Sequence, residues 1–115
     1  MERYKRYKYE NIAVYIKSKV TDTESYLITK TSILRSDLYD YGCEPIVMID
    51  SDREGEYQEL EKLIELVNMC RVSAVLIWSY EDIEEQLLDK LKEECLTYGI
   101  ELNSYIEDIQ SLILG

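Results

Sequence analysis

Short, almost purely apolar runs alternate along this chain with longer segments in which apolar residues recur every three or four positions. The runs are too short to cross a membrane and predict strands buried on both faces, whereas the periodic segments predict helices. The predicted strands cover residues 11–17, 45–49, 72–78 and 100–106, and the predicted helices cover residues 26–41, 56–70 and 83–98. Residues 109–114 are expected to add one helical turn.

The alternation of strands and helices defines the predicted fold class. Links of this length favour right-handed crossovers, so the sequence predicts a three-layer α/β domain with a mainly parallel four-stranded sheet in the order 2-1-3-4 and a flavodoxin-like topology. In that order the sheet changes direction of winding between its first and third strands, where the loops after Lys17 and after Trp78 face each other. A ligand site is therefore expected between these two loops.

Acidic residues gather directly after the strand at residues 72–78. Four carboxylates follow within five residues, at Glu81, Asp82, Glu84 and Glu85. The pairs Asp50 with Asp52 and Glu81 with Asp82 have the ligand type that Mg²⁺ prefers. The two pairs follow different strands, however, and acidic side chains are stabilised at helix N-termini by the helix dipole. We interpret them as solvated loop charges and predict neither a metal nor a cofactor.

The net charge of −11 is unevenly distributed along the chain. The first ten residues carry +2 and the remaining residues carry −13. Residues 3–9, Arg-Tyr-Lys-Arg-Tyr-Lys-Tyr, alternate cations with aromatic rings as a contact to single-stranded nucleic acid does, although a loose basic leader over residues 1–10 is the preferred interpretation. Because an acidic body repels a phosphate backbone, weak or no binding of duplex DNA is expected.

Length and composition restrict the remaining possibilities. The 115 residues fit a single domain, and the absence of a long apolar segment or a secretory signal predicts a cytoplasmic protein without membrane contact. Cys43, Cys70 and Cys95 stand among apolar neighbours, which indicates reduced thiols in the core. The chain has no histidine and therefore lacks the commonest general base and zinc ligand.

Five sequence segments, in this order, resemble the N-terminal catalytic domain of the serine recombinases, the resolvase and invertase family. They are Ala-Val-Tyr-Ile-Lys at 13–17, residues 38–44 ending in Tyr-Gly-Cys-Glu, Asp-Arg-Glu-Gly at 52–55, Val-Leu-Ile-Trp at 75–78 and Tyr-Gly-Ile-Glu-Leu at 98–102. The resemblance covers nearly the whole chain from Ile12 to about Ile109. It implies a resolvase-like fold and a domain that cuts DNA by serine attack on a phosphodiester held by arginines.

The first strand departs from the pattern that this family implies. Where the family has Tyr-x-Arg-Val-Ser, the chain reads Tyr15-Ile16-Lys17-Ser18-Lys19. Lys17 replaces an arginine and loses bidentate phosphate geometry. Lys19 occupies the position of the nucleophilic serine and cannot form a phosphoserine link. Ser18 is the fallback nucleophile, but in an extended segment a shift of one residue turns its side chain to the opposite face.

The loop after the third strand departs further from the family pattern. The family sequence Leu-Asp-Arg-Leu-x-Arg aligns with residues 80–85, so the acidic position remains as Glu81 while Asp82 and Glu85 replace both arginines. At an effective dielectric of 20, a carboxylate about 5 Å from a phosphate repels it by roughly 3 kcal/mol. Of the arginines that bind phosphate in the family, the resemblance leaves only Arg53 in this chain. Arg53 could instead have a structural role in the turn, paired with Asp50 or Asp52.

These substitutions lead to a functional hypothesis. The family continues past its last strand with a long dimerisation helix and a DNA-binding region, and we expect neither in this chain. We therefore expect a degenerate, catalytically inactive recombinase-like domain, not an enzyme, of mobile-element origin. It would act as a protein-interaction or regulatory module that binds a protein partner or pairs with itself.

Two alternative functions remain open from the sequence. In the first, the chain is a component of an active site-specific DNA recombination system, either through Ser18 or by joining a competent recombinase. In the second, the acidic surface mimics DNA and binds a nucleic-acid-binding protein, with Asp82, Glu84 and Glu85 among its charges.

Overall fold

A computed structural model of the chain describes residues 11–39, 45–51, 53 and 55–114. Its elements are β1 (Ile12–Lys17), α1 (Glu24–Tyr39), β2 (Pro45–Asp50), α2 (Gln58–Asn68), β3 (Ala74–Ile77), a 3₁₀ turn (Tyr80–Asp82), α3 (Glu85–Thr97), β4 (Glu101–Ser104) and α4 (Tyr105–Leu114). None of the helices in these ranges is long and apolar enough to cross a membrane. The predicted basic leader, Cys43 and Asp52 lie outside the described residues.

The four strands form one parallel sheet in the order β2-β1-β3-β4, which confirms the predicted fold class and strand order. Ile12 of β1 aligns with Pro45 of β2 on one side and with Ala74 of β3 on the other. All six residues of β1 are buried, as are all four of β3. The two apolar runs of the sequence are therefore the two central strands, which require cover on both faces.

Alternate residues of β1 belong to two separate cores. Ala13 and Tyr15 face the core that α2 and α3 cover, whereas Ile12, Val14 and Ile16 face the core that α1 and the first residue of α4 cover. The apolar stripe of α2 is buried through Leu60, Leu63, Ile64 and Val67. The period of two in the strands and the period of 3.6 in the helices thus produce the three layers.

A buried carboxylate joins β1, β2 and α2. Asp50, only 3% exposed, accepts a hydrogen bond from the Tyr15 hydroxyl at 2.6 Å. Its two oxygens also accept the backbone N–H groups of Glu59 and Leu60 at 2.7 and 3.0 Å. These N–H groups lie in the first turn of α2 and have no partner within the helix, so Asp50 caps α2 from the end of β2. Burial and the adjacent Asp50 raise the pKa of Tyr15.

The C-terminal part of the sequence prediction is wrong in its boundaries. The predicted strand over 100–106 ends at Ser104, and the predicted single turn is a ten-residue helix that begins at Tyr105. Residues Ser104 to Glu107 have the spacing of a capping box. In the structure the two side chains bond to each other: the Ser104 hydroxyl donates to the Glu107 carboxylate at 2.5 Å.

The end of α2 corrects the assignment of Cys70 to the core. Cys95 is buried, and burial raises its thiol pKa to about 11, but Cys70 is exposed. Cys70 has a φ of 54°, and the N–H of Arg71 donates to the Leu66 carbonyl at 2.9 Å. This is the hydrogen bond of a Schellman helix end, whose left-handed position glycine normally fills. Gly99 fills the equivalent position after α3 with a φ of 66°.

Replacement of Cys70 by glycine is expected to stabilise the protein. A side chain in the left-handed region costs roughly 1–2 kcal/mol, and glycine removes this cost while it adds some entropy to the unfolded chain. We expect Cys70→Gly to raise the free energy of unfolding by about 0.5–1 kcal/mol, measured by urea denaturation. The matched control, Cys70→Ala, removes the thiol without relieving the backbone. A Cys70→Gly protein no more stable than Cys70→Ala would contradict this explanation.

Candidate functional site

The loops after β1 and β3 meet at the carboxyl end of the sheet, as the strand order predicts. The Lys19 ammonium lies 3.1 Å from Oδ1 of Asp82. On the β1 side, the Lys19 N–H donates to the Asp22 carboxylate and the Asp22 N–H donates to the Lys19 carbonyl, both at 2.9 Å. On the β3 side, the Ser79 hydroxyl accepts the Glu81 N–H at 3.3 Å and caps the 3₁₀ turn. Local hydrogen bonds therefore shape both loops, and an ion pair joins them.

The two members of this ion pair differ in burial. The Lys19 side chain is 50% exposed, whereas that of Asp82 is 3% exposed, and Oδ2 of Asp82 has no hydrogen-bond partner. Burial raises the pKa of Asp82, and Lys19 offsets this only in part. The contact with Asp82 in turn raises the pKa of Lys19. Asp82 thus depends on Lys19 for most of the compensation of its buried charge.

A second ion pair, not anticipated from the sequence, lies beside the first. The Lys30 ammonium contacts the Asp22 carboxylate at 3.0 Å, and both side chains are about 95% buried. Lys30 also lies over the rings of Tyr26 and Trp78, at 5.2 and 5.5 Å from their centroids. Burial alone would raise the pKa of Asp22, but the Lys19 N–H and the Lys30 ammonium lower it below its usual value.

The sequence does contain a signal for Lys30. It stands four and eight residues before Leu34 and Leu38, the two leucines of α1 that are fully buried. A lysine in line with the apolar stripe of a helix needs a buried counter-charge. Asp22, in the preceding loop, supplies that charge.

Lys17, at the end of β1, reaches the loop after β2 and does not take part in the contact between the loops after β1 and β3. Its ammonium donates to the backbone carbonyls of Ser51, Arg53 and Glu56 at 2.5, 2.9 and 2.6 Å. It also lies 4.7 Å from the centroid of the Tyr57 ring. Because all three donors of the ammonium are used, Lys17 stabilises the loop after β2 and has no N–H left for a ligand.

The other residues singled out in the sequence are spread around the sheet edge. The Arg53 side chain is 83% exposed and lies 4.0 Å from the Glu56 carboxylate. Of its two predicted partners, Asp50 is occupied by Tyr15 and the N-terminus of α2, and Asp52 lies outside the described residues. Ser18 is half-buried, and its N–H donates to the Asp50 carbonyl at 3.0 Å. Glu81 and Glu85 are exposed.

The start of α4 forms one wall of the site. Glu107 accepts hydrogen bonds from the Ser79 hydroxyl at 3.0 Å and from the Tyr80 N–H at 2.5 Å. The ring of Tyr105 stacks on Trp78 with centroids 5.1 Å apart. Burial, with Asp108 and Glu107 nearby, raises the pKa of Tyr80 to about 12. The loop after β3 is therefore fixed on one side by Lys19 and on the other by α4.

A cleft of about 410 Å³ opens between the two loops, α1 and α4. Its charged lining residues are Lys19, Asp22, Lys30 and Glu81. Both ammonium groups are already paired with carboxylates of the protein, which leaves little positive potential for a phosphate. The described part of the chain contains no group of three Cys, Asp or Glu side chains placed to hold a metal ion.

The fold has a known counterpart among solved structures. The chain is similar to the crystal structure of the C-terminal catalytic domain of ISC1926 TnpA, an IS607-like serine recombinase, with a TM-score of 0.68 and 20% sequence identity. The match covers 90% of this chain and 80% of that chain. No family model and no curated protein matches the sequence. The four-stranded parallel sheet thus has the fold of a serine recombinase catalytic domain.

This similarity corrects one expectation from the sequence. The substitutions at Lys19, Asp82 and Glu85 led us to expect a chain that is not an enzyme. The similar structure is described as a catalytic domain, so the fold itself is one that supports catalysis. Loss of the family's residues at these positions is therefore insufficient to class the chain as a non-enzyme.

Removal of Lys19 is expected to destabilise the protein in a pH-dependent way. Lys19→Met leaves the Asp82 carboxylate buried without a counter-charge, which costs about 1–3 kcal/mol. Because burial raises the folded-state pKa of Asp82 above its unfolded value near 4, protonation favours the folded state, and stability falls as pH rises through that interval. We expect a small deficit relative to wild type at pH 4 and a larger one at pH 7, measured by urea denaturation.

The matched control for this prediction is the double variant Lys19→Met with Asp82→Asn. The amide keeps the shape of Asp82 and removes its charge, so most of the deficit at pH 7 should disappear. An equal deficit at both pH values, or a double variant no more stable than Lys19→Met, would show that the pair does not act as described.

Proposed function

We propose that this chain acts in a site-specific DNA recombination system, as a regulatory or protein-interaction domain that associates with a serine recombinase. The observation that carries the proposal is the Lys19–Asp82 ion pair, which joins the two loops at the edge of the sheet where recombinases hold the DNA phosphate. The recombinase-like fold supports a role in DNA recombination, and the ion pair supports a regulatory role within it.

The electrostatics of the site favour a protein partner over bare DNA. The ammonium groups of Lys19 and Lys30 face carboxylates of the chain itself, and that of Lys17 faces backbone carbonyls. A phosphate entering the cleft would have to displace Asp82 from Lys19 and would meet Glu81. The acidic body of the chain adds long-range repulsion. This charge distribution supports weak DNA binding and a protein partner in the proposal.

The regulatory role is tested by adding the chain to a recombination reaction. A full-length IS607-like serine recombinase acts on a supercoiled plasmid that carries its sites, and recombinant product is measured against increasing amounts of this chain. We expect a dose-dependent change in product that saturates. Bovine serum albumin, also acidic, serves as the charge control. No change at a large molar excess, together with no co-sedimentation with the recombinase, would overturn the proposal.

A second candidate function is DNA strand cleavage through Ser18. It is favoured by the position of this half-buried hydroxyl at the carboxyl end of β1, one residue before the family's serine position. The hydroxyl oxygen would attack a phosphodiester and release the sugar hydroxyl, leaving a phosphoserine link to DNA. Lys17 and Lys19 flank Ser18 in the sequence, and Lys19, once separated from Asp82, is the one whose ammonium is not held by backbone carbonyls.

Strand cleavage predicts a covalent adduct between the protein and DNA. Incubation with supercoiled plasmid, followed by denaturation and detection of DNA-linked protein, should give an adduct with wild type and with Ser36→Ala, a control on exposed α1 surface. Ser18→Ala should form none. Absence of adduct from the wild-type chain, or an adduct that persists in Ser18→Ala, would rule out Ser18 as the nucleophile.

A further inference from the structure

Helix α1 buries one face against the sheet, and a second face of mixed apolar and polar residues lies beside it. Leu34 and Leu38 are fully buried against β1 and β3. A second stripe follows the side of α1 next to β2, with the spacing i, i+3, i+4, i+7, i+8 and i+11. Its members are Glu24, Leu27, Ile28, Thr31, Ser32 and Arg35. This spacing is that of a helix-packing face.

The second stripe is exposed at the edge of the sheet. Together with Ile49 of β2 it lines a shallow cleft of about 320 Å³. Ile28 is 60% exposed and Ile49 is 40% exposed. β2 is an edge strand that pairs with β1, and no other strand of the described ranges pairs with it. An unpaired strand edge is a place where another chain can pack, and two large apolar side chains lie beside it.

The order of residues in the stripe is self-complementary. If a second α1 packs antiparallel across a two-fold axis at the middle of the stripe, Glu24 lies opposite Arg35 of the second copy, and Arg35 lies opposite the second Glu24. Leu27 then faces Ser32, and Ile28 faces Thr31, so each large apolar side chain meets a small one. Within the part of the chain that the structure describes, neither Glu24 nor Arg35 forms an ion pair. Their charges are thus available for the partner.

We propose that a second copy of this chain docks on the stripe, forming a symmetric dimer through antiparallel packing of α1 against α1. A two-fold interface is isologous, so each favourable contact occurs twice. Leu27 and Ile28 of each copy supply the apolar contacts, and the two Glu24–Arg35 contacts at the ends of the stripe set the antiparallel direction. This dimer uses the edge opposite to β4 and α4 and is independent of the proposed role in recombination.

A charge swap tests the pairing of Glu24 with Arg35. Dimer dissociation constants are measured by sedimentation velocity over a range of protein concentrations. Glu24→Arg places two arginines together at each end of the interface, and Arg35→Glu places two glutamates together. Each single change should weaken the dimer at least about tenfold, and the double variant, which restores both contacts in reverse, should recover most of the affinity.

Two further variants separate the interface from general surface effects. Ile28→Asp should make the protein monomeric, whereas Leu96→Asp, at an 84% exposed leucine of α3, should leave the dimer intact. Glu61→Arg on exposed α2 surface matches the net-charge change of Glu24→Arg and should have little effect. Far-UV circular dichroism confirms that each variant is folded. A wild-type chain that stays monomeric at millimolar concentration, or a double swap without recovery, would overturn the dimer.

Discussion

The carboxylate of Asp50 is the constraint on which the arrangement of this domain depends. A charge that is 3% exposed must have its lone pairs occupied, and three N–H or O–H groups from β1 and α2 occupy them. This requirement fixes the axial position of α2 relative to β1 and β2. It also explains why the same residue is a poor metal ligand here, although its place at the end of a strand suggested one. The Asp50 oxygens accept three hydrogen bonds within the protein and are not accessible to a ligand.

The same rule, that buried charge must be matched, governs the site between the loops after β1 and β3. Lys19 is matched by Asp82, and Lys30 by Asp22. Without Lys19 the Asp82 carboxylate would be buried without a counter-charge, and without Asp22 the Lys30 ammonium would be. The site is therefore a set of internally matched charges, in a fold similar to that of a serine recombinase catalytic domain.

The sequence was sufficient to predict the strand order and the meeting of the two loops. The continuous apolar runs of β1 and β3 identify the central strands, and the single apolar stripe of α2 identifies a helix that covers them. The sequence was not sufficient for features that depend on three-dimensional partners. The end of β4 was placed too late because Ile106 continues an alternating pattern, while the bonds of Glu107 to Ser79 and Tyr80 favour a helix there. The Lys19–Asp82 contact has no local sequence signal, because the two residues are 63 positions apart in the chain and adjacent only in space.

Lys17, at the end of β1, is held by the loop that follows the neighbouring strand β2. Its ammonium lies among three backbone carbonyl oxygens of the loop after β2, in the way that a bound potassium ion lies in a ring of carbonyls. The loop therefore binds a cation that is covalently attached to the neighbouring strand β1. Because this cation is covalently part of β1, it cannot dissociate, and it ties the end of β1 to the loop after β2. Lysine suits this position because its compact ammonium carries three rotatable donors, whereas a guanidinium holds its donors in a rigid planar fork.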